Sequence, residues 1–183
     1  MTFIEIYQKY IEREGSQEFL KWLESTDFFN APASTKYHES YTGGLAEHSA
    51  NVFNELCRLL KAYPEVRVTA ETAAIVSLLH DVCKANCYKT EYRNRKNEYG
   101  QWEKYPYYTF QEDFAFGGHG SKSVYLIQKF MKLTDAEAVA INCHMGVESG
   151  KWEVNDAFRA YPLAFLLHTA DMASTIETLG GNK

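Results

Sequence analysis

The sequence predicts a single all-α domain over residues 1–183, with a small loop or β-hairpin insertion at about 87–118. Three observations carry that expectation. Apolar residues recur at helical spacing through most of the chain, 183 residues are enough for one buried core, and only the stretch near 87–118 breaks the pattern. Hydrophobic residues at 45%, charged residues at 23% and only 4 prolines exclude disordered and fibrous classes. A net charge of −5 argues against a surface built to coat duplex DNA or anionic membrane.

Phe3, Ile4, Ile6, Tyr7, Tyr10 and Ile11 open the chain at helical spacing, and Phe19, Leu20 and Leu23 continue it beyond Gly15. Residues 26–44 carry Pro32, small polar residues and a glycine pair, and read as an ordered loop leading into a helix. Leu45, Val52, Phe53, Leu56, Leu59 and Leu60 form the next apolar stripe, which stops before Pro64. Thr69 can cap the following helix, whose Ala73 to Leu79 run is apolar nearly all round, as a central buried helix should be. From Cys87 to Gly118 aromatics mix with charges around a turn signal at Asn97 to Gly100. Helical signals resume at Ser121 to Lys132 and again at Thr134, where Thr134 and Glu137 match a capping box. Pro162 suits the first turn of a last helix, expected to run to Leu179 before Gly180 and Gly181.

No stretch is apolar enough for a membrane span, and the amino terminus lacks a basic region followed by an apolar core, so a cytoplasmic protein without a membrane partner is expected. Cys57, Cys83, Cys87 and Cys143 are too few and too dispersed for a disulfide scaffold. Cys83 and Cys87, four residues apart, lack a second pair to close a zinc site and are expected to be packing residues.

The chemistry lies with histidine and aspartate. His80 and Asp81 end the most apolar helix of the chain, where an unpaired Asp would cost on the order of several kcal/mol. A cation is therefore expected there. Neighbouring side chains on a helix diverge by roughly 100°, so one ion can touch both only if other helices complete its shell. His48 and Asp171 would complete a set of two imidazoles and two carboxylates, suited to Mn, Fe, Ni, Co or Zn. His119 and His144 would hold a second ion, with Asp81 bridging the two. A single ion, with these two histidines near substrate phosphate, is the alternative.

The same residues resemble the HD-domain superfamily of metal-dependent phosphohydrolases, whose pattern is a His, then His-Asp, then a distant Asp. Here that pattern is His48, His80, Asp81 and Asp171. The stretch YHESYTGGLAEHS at Tyr37 to Ser49 looks closest to the HD domains linked to bacterial 3′-to-5′ exoribonucleases. HDVCK at His80 to Lys84, GGHG at Gly117 to Gly120 and LLHTADMAS at Leu166 to Ser174 continue the likeness from about Thr26 to Thr178. The resemblance implies a single HD-type helical bundle and a metal-dependent phosphohydrolase acting on a nucleotide, a cyclic nucleotide or a short nucleic-acid end. Asp81 and Lys84 are the expected catalytic residues, with Lys84 either contacting a phosphate oxygen, as in related HD domains, or standing as a solvated helix-end cation.

Other candidates are less specific. His38 could reach substrate or order its loop, and His168 could be an interior histidine or support Asp171. Lys89 and Arg93, with Arg95 and Lys96, stand among tyrosines that could hold phosphate and base, although Glu91, Glu98 and Glu103 offset their charge. Tyr105, Tyr107, Tyr108 and Phe110 are expected to be packing residues. Two further functional classes fit the ligand order: a mixed-valent diiron oxygenase of the myo-inositol oxygenase type, and a noncatalytic nucleotide-sensing module. The chain lacks the GYP tripeptide of one cyclic-dinucleotide-cleaving branch. Its first two helices could offer a homodimer face.

Overall fold

Helix α4 (Ala70–Leu79) is the axis around which the other elements pack, because all its residues from Ala73 to Leu79 are buried. The computed structural model describes residues 1–36, 39–111, 116–146 and 154–176. Thr69 caps α4 as its sequence predicts, its hydroxyl accepting from the Thr72 amide at 3.0 Å. Around it stand α1 (Phe3–Tyr10), α2 (Ser16–Glu24), α3 (Gly44–Ala62), α5 (His119–Gln128), α6 (Asp135–Cys143), α7 (Val154–Ala160) and α8 (Pro162–Ser174). Helix α3 packs on both α4 and α8, while α6 packs on α4, α5 and α8. A continuous core runs through them from Phe3 and Ile6 through Leu45, Leu56, Ile75 and Leu79 to Ile141 and Leu167.

The capping box at Thr134 forms, with its hydroxyl accepting from the Glu137 amide and the Glu137 carboxylate accepting from the Thr134 amide. Helix α7 has no counterpart in the sequence expectations. Pro162 takes the first turn of α8, which ends at Ser174 with Thr175 as its C-terminal cap, short of the expected end near Leu179. Among the described residues no helix is long and apolar enough to cross a membrane.

The all-α expectation is corrected by the stretch after α4. Two nine-residue strands, β1 (Tyr88–Lys96) and β2 (Trp102–Phe110), form an antiparallel ribbon, so the chain is helix-rich but mixed. Pairing runs in unbroken register from Tyr88 opposite Phe110 to Lys96 opposite Trp102. The physical reason is the side-chain chemistry: this stretch offers no apolar stripe for a helix to bury, but it offers cross-strand pairs. Arg95 meets Glu103 at 2.8 Å and its guanidinium lies 3.7 Å from the Tyr105 ring centre. Asn97 closes the turn, its side-chain oxygen accepting from the Tyr99 and Gln101 amides.

A buried ion network ties α6 to the amino-terminal helices. Glu137 is fully buried and pairs with Arg13 at 2.6 Å, while Arg13 also reaches Glu71 and the Lys132 carbonyl. Burial pushes the Glu137 carboxyl up, but hydrogen bonds from Arg13, the Thr134 amide and Thr72 outweigh it and hold it below its ordinary value. Because the folded-state value is depressed, this stabilisation is present above the ordinary carboxylate range and lost as pH falls through the folded value. Glu137→Ala, which leaves Arg13 only Glu71 and the Lys132 carbonyl, is predicted to cost about 3 kcal/mol in urea unfolding near neutral pH. The difference from wild type should shrink in acid; an unchanged midpoint at neutral pH would refute the network's role.

Candidate metal centre

Two helices end at the same place. His80 is the C-terminal cap of α4 and His144 the C-terminal cap of α6, and each uses Nδ1–H to satisfy a carbonyl of its own last turn. His80 Nδ1 lies 2.7 Å from the Ser77 oxygen and His144 Nδ1 lies 2.7 Å from the Ile141 oxygen. A carbonyl only accepts, so these bonds fix the proton on Nδ1 and leave Nε2 as a lone pair. The last carbonyls of a helix also carry its negative end, so both termini favour a cation in front of them.

Both Nε2 atoms are buried and lack hydrogen-bond partners, as does Oδ1 of Asp81. Asp81 follows His80 directly and leads into the 3₁₀ turn Val82–Lys84. Its two oxygens face different ways: Oδ2 is 2.7 Å from Lys84 Nζ and 3.4 Å from His80 Nε2, while Oδ1 is 3.5 Å from His144 Nε2. From α8, Asp171 Oδ1 approaches His48 Nε2 at 3.0 Å and His80 Nε2 at 3.8 Å. Donors bound to one transition ion at about 2.1 Å stand roughly 3 to 3.5 Å apart, which is the range of most of these separations.

His48 lies in the second turn of α3, and both of its ring nitrogens face acceptors. Nε2 faces Asp171, while Nδ1 faces Ser174 Oγ at 3.4 Å and Glu39 Oε2 at 3.7 Å. The Ser174 hydroxyl gives its own proton to the Asp171 carbonyl. A neutral imidazole has one N–H for these two sides, and a cation between Nε2 and Asp171 would satisfy the other.

Three sets of donor atoms lie within 4.8 Å of one another: His48, His80 and Asp81; His80, His144 and Asp171; and Asp81, Cys83 and His119. All six metal-ligand residues expected from the sequence therefore fall in these sets, the first sharing His80 with the second and Asp81 with the third, while His119 and His144, expected to hold one ion together, fall in different sets. Gly120 brings His119 into place, because any Cβ there would overlap the Asn142 and Ile141 carbonyls at the end of α6.

Electrostatics agree with the geometry. Burial opposes ionisation of Asp81 and Asp171, but Lys84 and His80 beside the first, and His48 and His80 beside the second, hold both carboxyls well below their ordinary range. Burial also opposes a charged His80, yet Asp81 and Asp171 outweigh it and raise its proton affinity. Lys84 is raised by Asp81 against the effect of burial and stays charged. Its alternative reading as a solvated cation is corrected: its side chain is 14% exposed and donates to both Asp81 and the Ala33 carbonyl at 2.8 Å.

Of the expected substrate residues only Lys84 stands at the cluster among the described residues. His38 lies outside the described residues. Lys89 and Arg93 stand exposed on β1, and Arg93 lines a cavity of about 260 Å³ with Lys36, Tyr105, Tyr107 and Tyr108. Those tyrosines, expected as packing residues, thus line a surface cavity, and Phe110 is 45% exposed. Tyr88 links the ribbon to the metal side by donating to the same Ala33 carbonyl as Lys84, at 3.2 Å. His168 supports the site from behind, its Nδ1 donating to the His144 carbonyl at 2.7 Å while its ring stacks on Phe158.

Glu39 escaped the sequence reading. Its carboxylate is buried without a hydrogen-bond partner, and its backbone sits at φ 40. Gly44 accepts that arrangement because a Cβ there would overlap the Glu39 carbonyl. No sequence signal distinguishes Glu39 from the polar residues of its loop.

Comparisons with protein-family models, curated proteins and solved structures give no match to this chain.

A transition ion at roughly 100 times its Kd is predicted to raise the melting temperature by roughly 5–10 °C, and a chelator to reverse the rise. Ion and proton compete for His80 Nε2, whose proton affinity is raised, so the shift should shrink as pH falls. Identical melting curves with and without each ion in calorimetry would show that the cluster holds none.

Proposed function

We propose that this protein is a metal-dependent phosphohydrolase of the HD type, cleaving a phosphate ester of a nucleotide, a cyclic nucleotide or a short nucleic-acid end. The single observation that carries the reading is the buried triad of unpaired acceptors, His80 Nε2, His144 Nε2 and Asp81 Oδ1, with Asp81 itself ionised and the ionised Asp171 beside it. Each unpaired buried group costs about 1–3 kcal/mol unless something electrophilic fills the space between them.

In this reading His48, His80, Asp81 and Asp171 would hold one divalent transition ion and His119 and His144 a second, with Asp81 common to both. Bound ions of this kind acidify water toward neutrality and offset the charge of phosphoryl oxygens. The chain's own groups supply orientation. The Ser77 and Ile141 carbonyls fix the imidazoles, and Lys84 keeps Asp81 ionised and turned so that Oδ1 stays available. Lys84 also brings a fixed positive charge to the edge of the site, suited to a phosphate oxygen. The cationic and aromatic face of the ribbon supports a phosphate-bearing partner with a base, and the setting proposed is cytoplasmic, with a homodimer compatible with it.

The test is anaerobic cleavage of bis-(p-nitrophenyl) phosphate by protein loaded separately with Mn, Fe, Co, Ni and Zn. Cleavage is predicted with at least one ion, and Asp81→Ala should lower it roughly 100-fold or more. Ester left intact by fully loaded protein, with oxygen consumed by the iron form, would replace this reading with the oxygenase one.

A further inference from the structure

We infer that Cys83 is itself a metal ligand, so that Asp81, Cys83 and His119 form a thiolate-containing site that takes a sulfur-tolerant ion such as zinc, cobalt or iron(II). The inference rests on the metal-centre reading, since Asp81 belongs to both.

Geometry supports it first. Cys83 lies two residues beyond Asp81 in the 3₁₀ turn, is 2% exposed, and places Sγ 3.4 Å from His119 Nδ1. An ion bound to sulfur at about 2.3 Å and to nitrogen at about 2.05 Å in tetrahedral geometry separates those two donors by about 3.5 Å. The observed spacing, which a thiol–imidazole hydrogen bond also spans, is the spacing that two donors on one ion would have. The third member is within reach as well, because all three donor atoms lie within 4.8 Å of one another. Asp81 also brings a buried carboxylate with one oxygen lacking a hydrogen-bond partner, so the cluster holds an acceptor as well as the thiol and the imidazole.

The surroundings are wrong for a cysteine that only fills space. A packing thiol sits among apolar groups, whereas Cys83 faces a carboxylate and an imidazole, and its amide is held by Ser123 Oγ at 3.1 Å. That bond and the close seat of Gly120 on α6 fix both donors on rigid elements. Cys87 is turned away from the site: its Sγ donates to the Cys83 carbonyl and accepts from Lys122 Nζ at 3.5 Å. The four-residue Cys83–Cys87 pair is therefore not the chelating unit; Cys83 works with His119 across the fold. Entry of the ion releases the thiol proton to solvent, and a thiolate donor disfavours magnesium and manganese relative to zinc, cobalt or iron(II).

Cobalt(II) reads this directly. Metal-free, reduced protein titrated with cobalt without oxygen should show visible ligand-field bands together with a near-ultraviolet thiolate-to-cobalt charge-transfer band. Cys83→Ser should lose the charge-transfer band and weaken the cobalt equivalent associated with it at least 10-fold, while Cys143→Ser keeps both. Native protein should also show Cys83 protected from alkylation by bound zinc, mapped by peptide mass spectrometry, which decides the matter if Cys83→Ser does not fold. Ligand-field bands without a thiolate band in wild type would mean that Cys83 only hydrogen-bonds His119, overturning the inference while leaving the metal centre intact. A thiolate band that survives in folded Cys83→Ser would also overturn it. No cobalt absorption at all would overturn both.

Discussion

The interaction on which the site depends is the contact between the Asp81 carboxylate and Lys84. A carboxylate this deeply buried stays ionised only with a permanent counter-charge, and Lys84 Nζ at 2.7 Å provides it through one oxygen. The other oxygen is left facing His144 without a hydrogen bond. Were Lys84 absent, burial would drive Asp81 toward its neutral form and remove the charge that makes the cluster attractive to a cation. The same ammonium donates to the Ala33 carbonyl and so fastens the loop ahead of α3 against the centre.

Around that pair the fold works as a holder for imidazoles. Helices α4 and α6 each stop at a histidine whose Nδ1–H completes the last turn, so helix termination and ligand orientation are one event. Helix α3 brings His48 and α8 brings Asp171, and these helices pack on each other. The apolar character of α4 serves the chemistry too, because its buried faces exclude the water that would otherwise satisfy His80 and Asp81. Outside the core the ribbon places Arg93 and its tyrosines around a separate cavity, joined to the centre through Tyr88 and Ala33.

Much of this was legible in the sequence, for identifiable reasons. The stripe of α3, the all-round apolar run of α4 and the capping box at Thr134 are local patterns, and local patterns survive folding. His48, His80, Asp81 and His144 could be picked out because a buried imidazole or carboxylate demands a partner wherever it falls, whereas the exposed His119 and the partly buried Asp171 stood out only by their order along the chain. The all-α class fails at residues 88–110, where the expected hairpin insertion forms as two nine-residue strands; their stability comes from cross-strand pairs such as Arg95 with Glu103, which depend on register rather than on composition. Glu39 was passed over, and Cys83 was read as a packing residue, because what the fold sets beside each of them lies far away in the sequence. The carbonyls of Ser77 and Ile141 could not be singled out, since every residue carries one.

The most direct test of the central claim, that the buried His–Asp cluster is a metal centre, is an anomalous-scattering crystal structure collected at the absorption edge of a transition ion soaked into the protein. The account predicts an anomalous peak within coordination distance of His80 Nε2, Asp81 and Asp171. Well-ordered crystals at saturating ion, with these side chains unmoved and no peak between them, would contradict it.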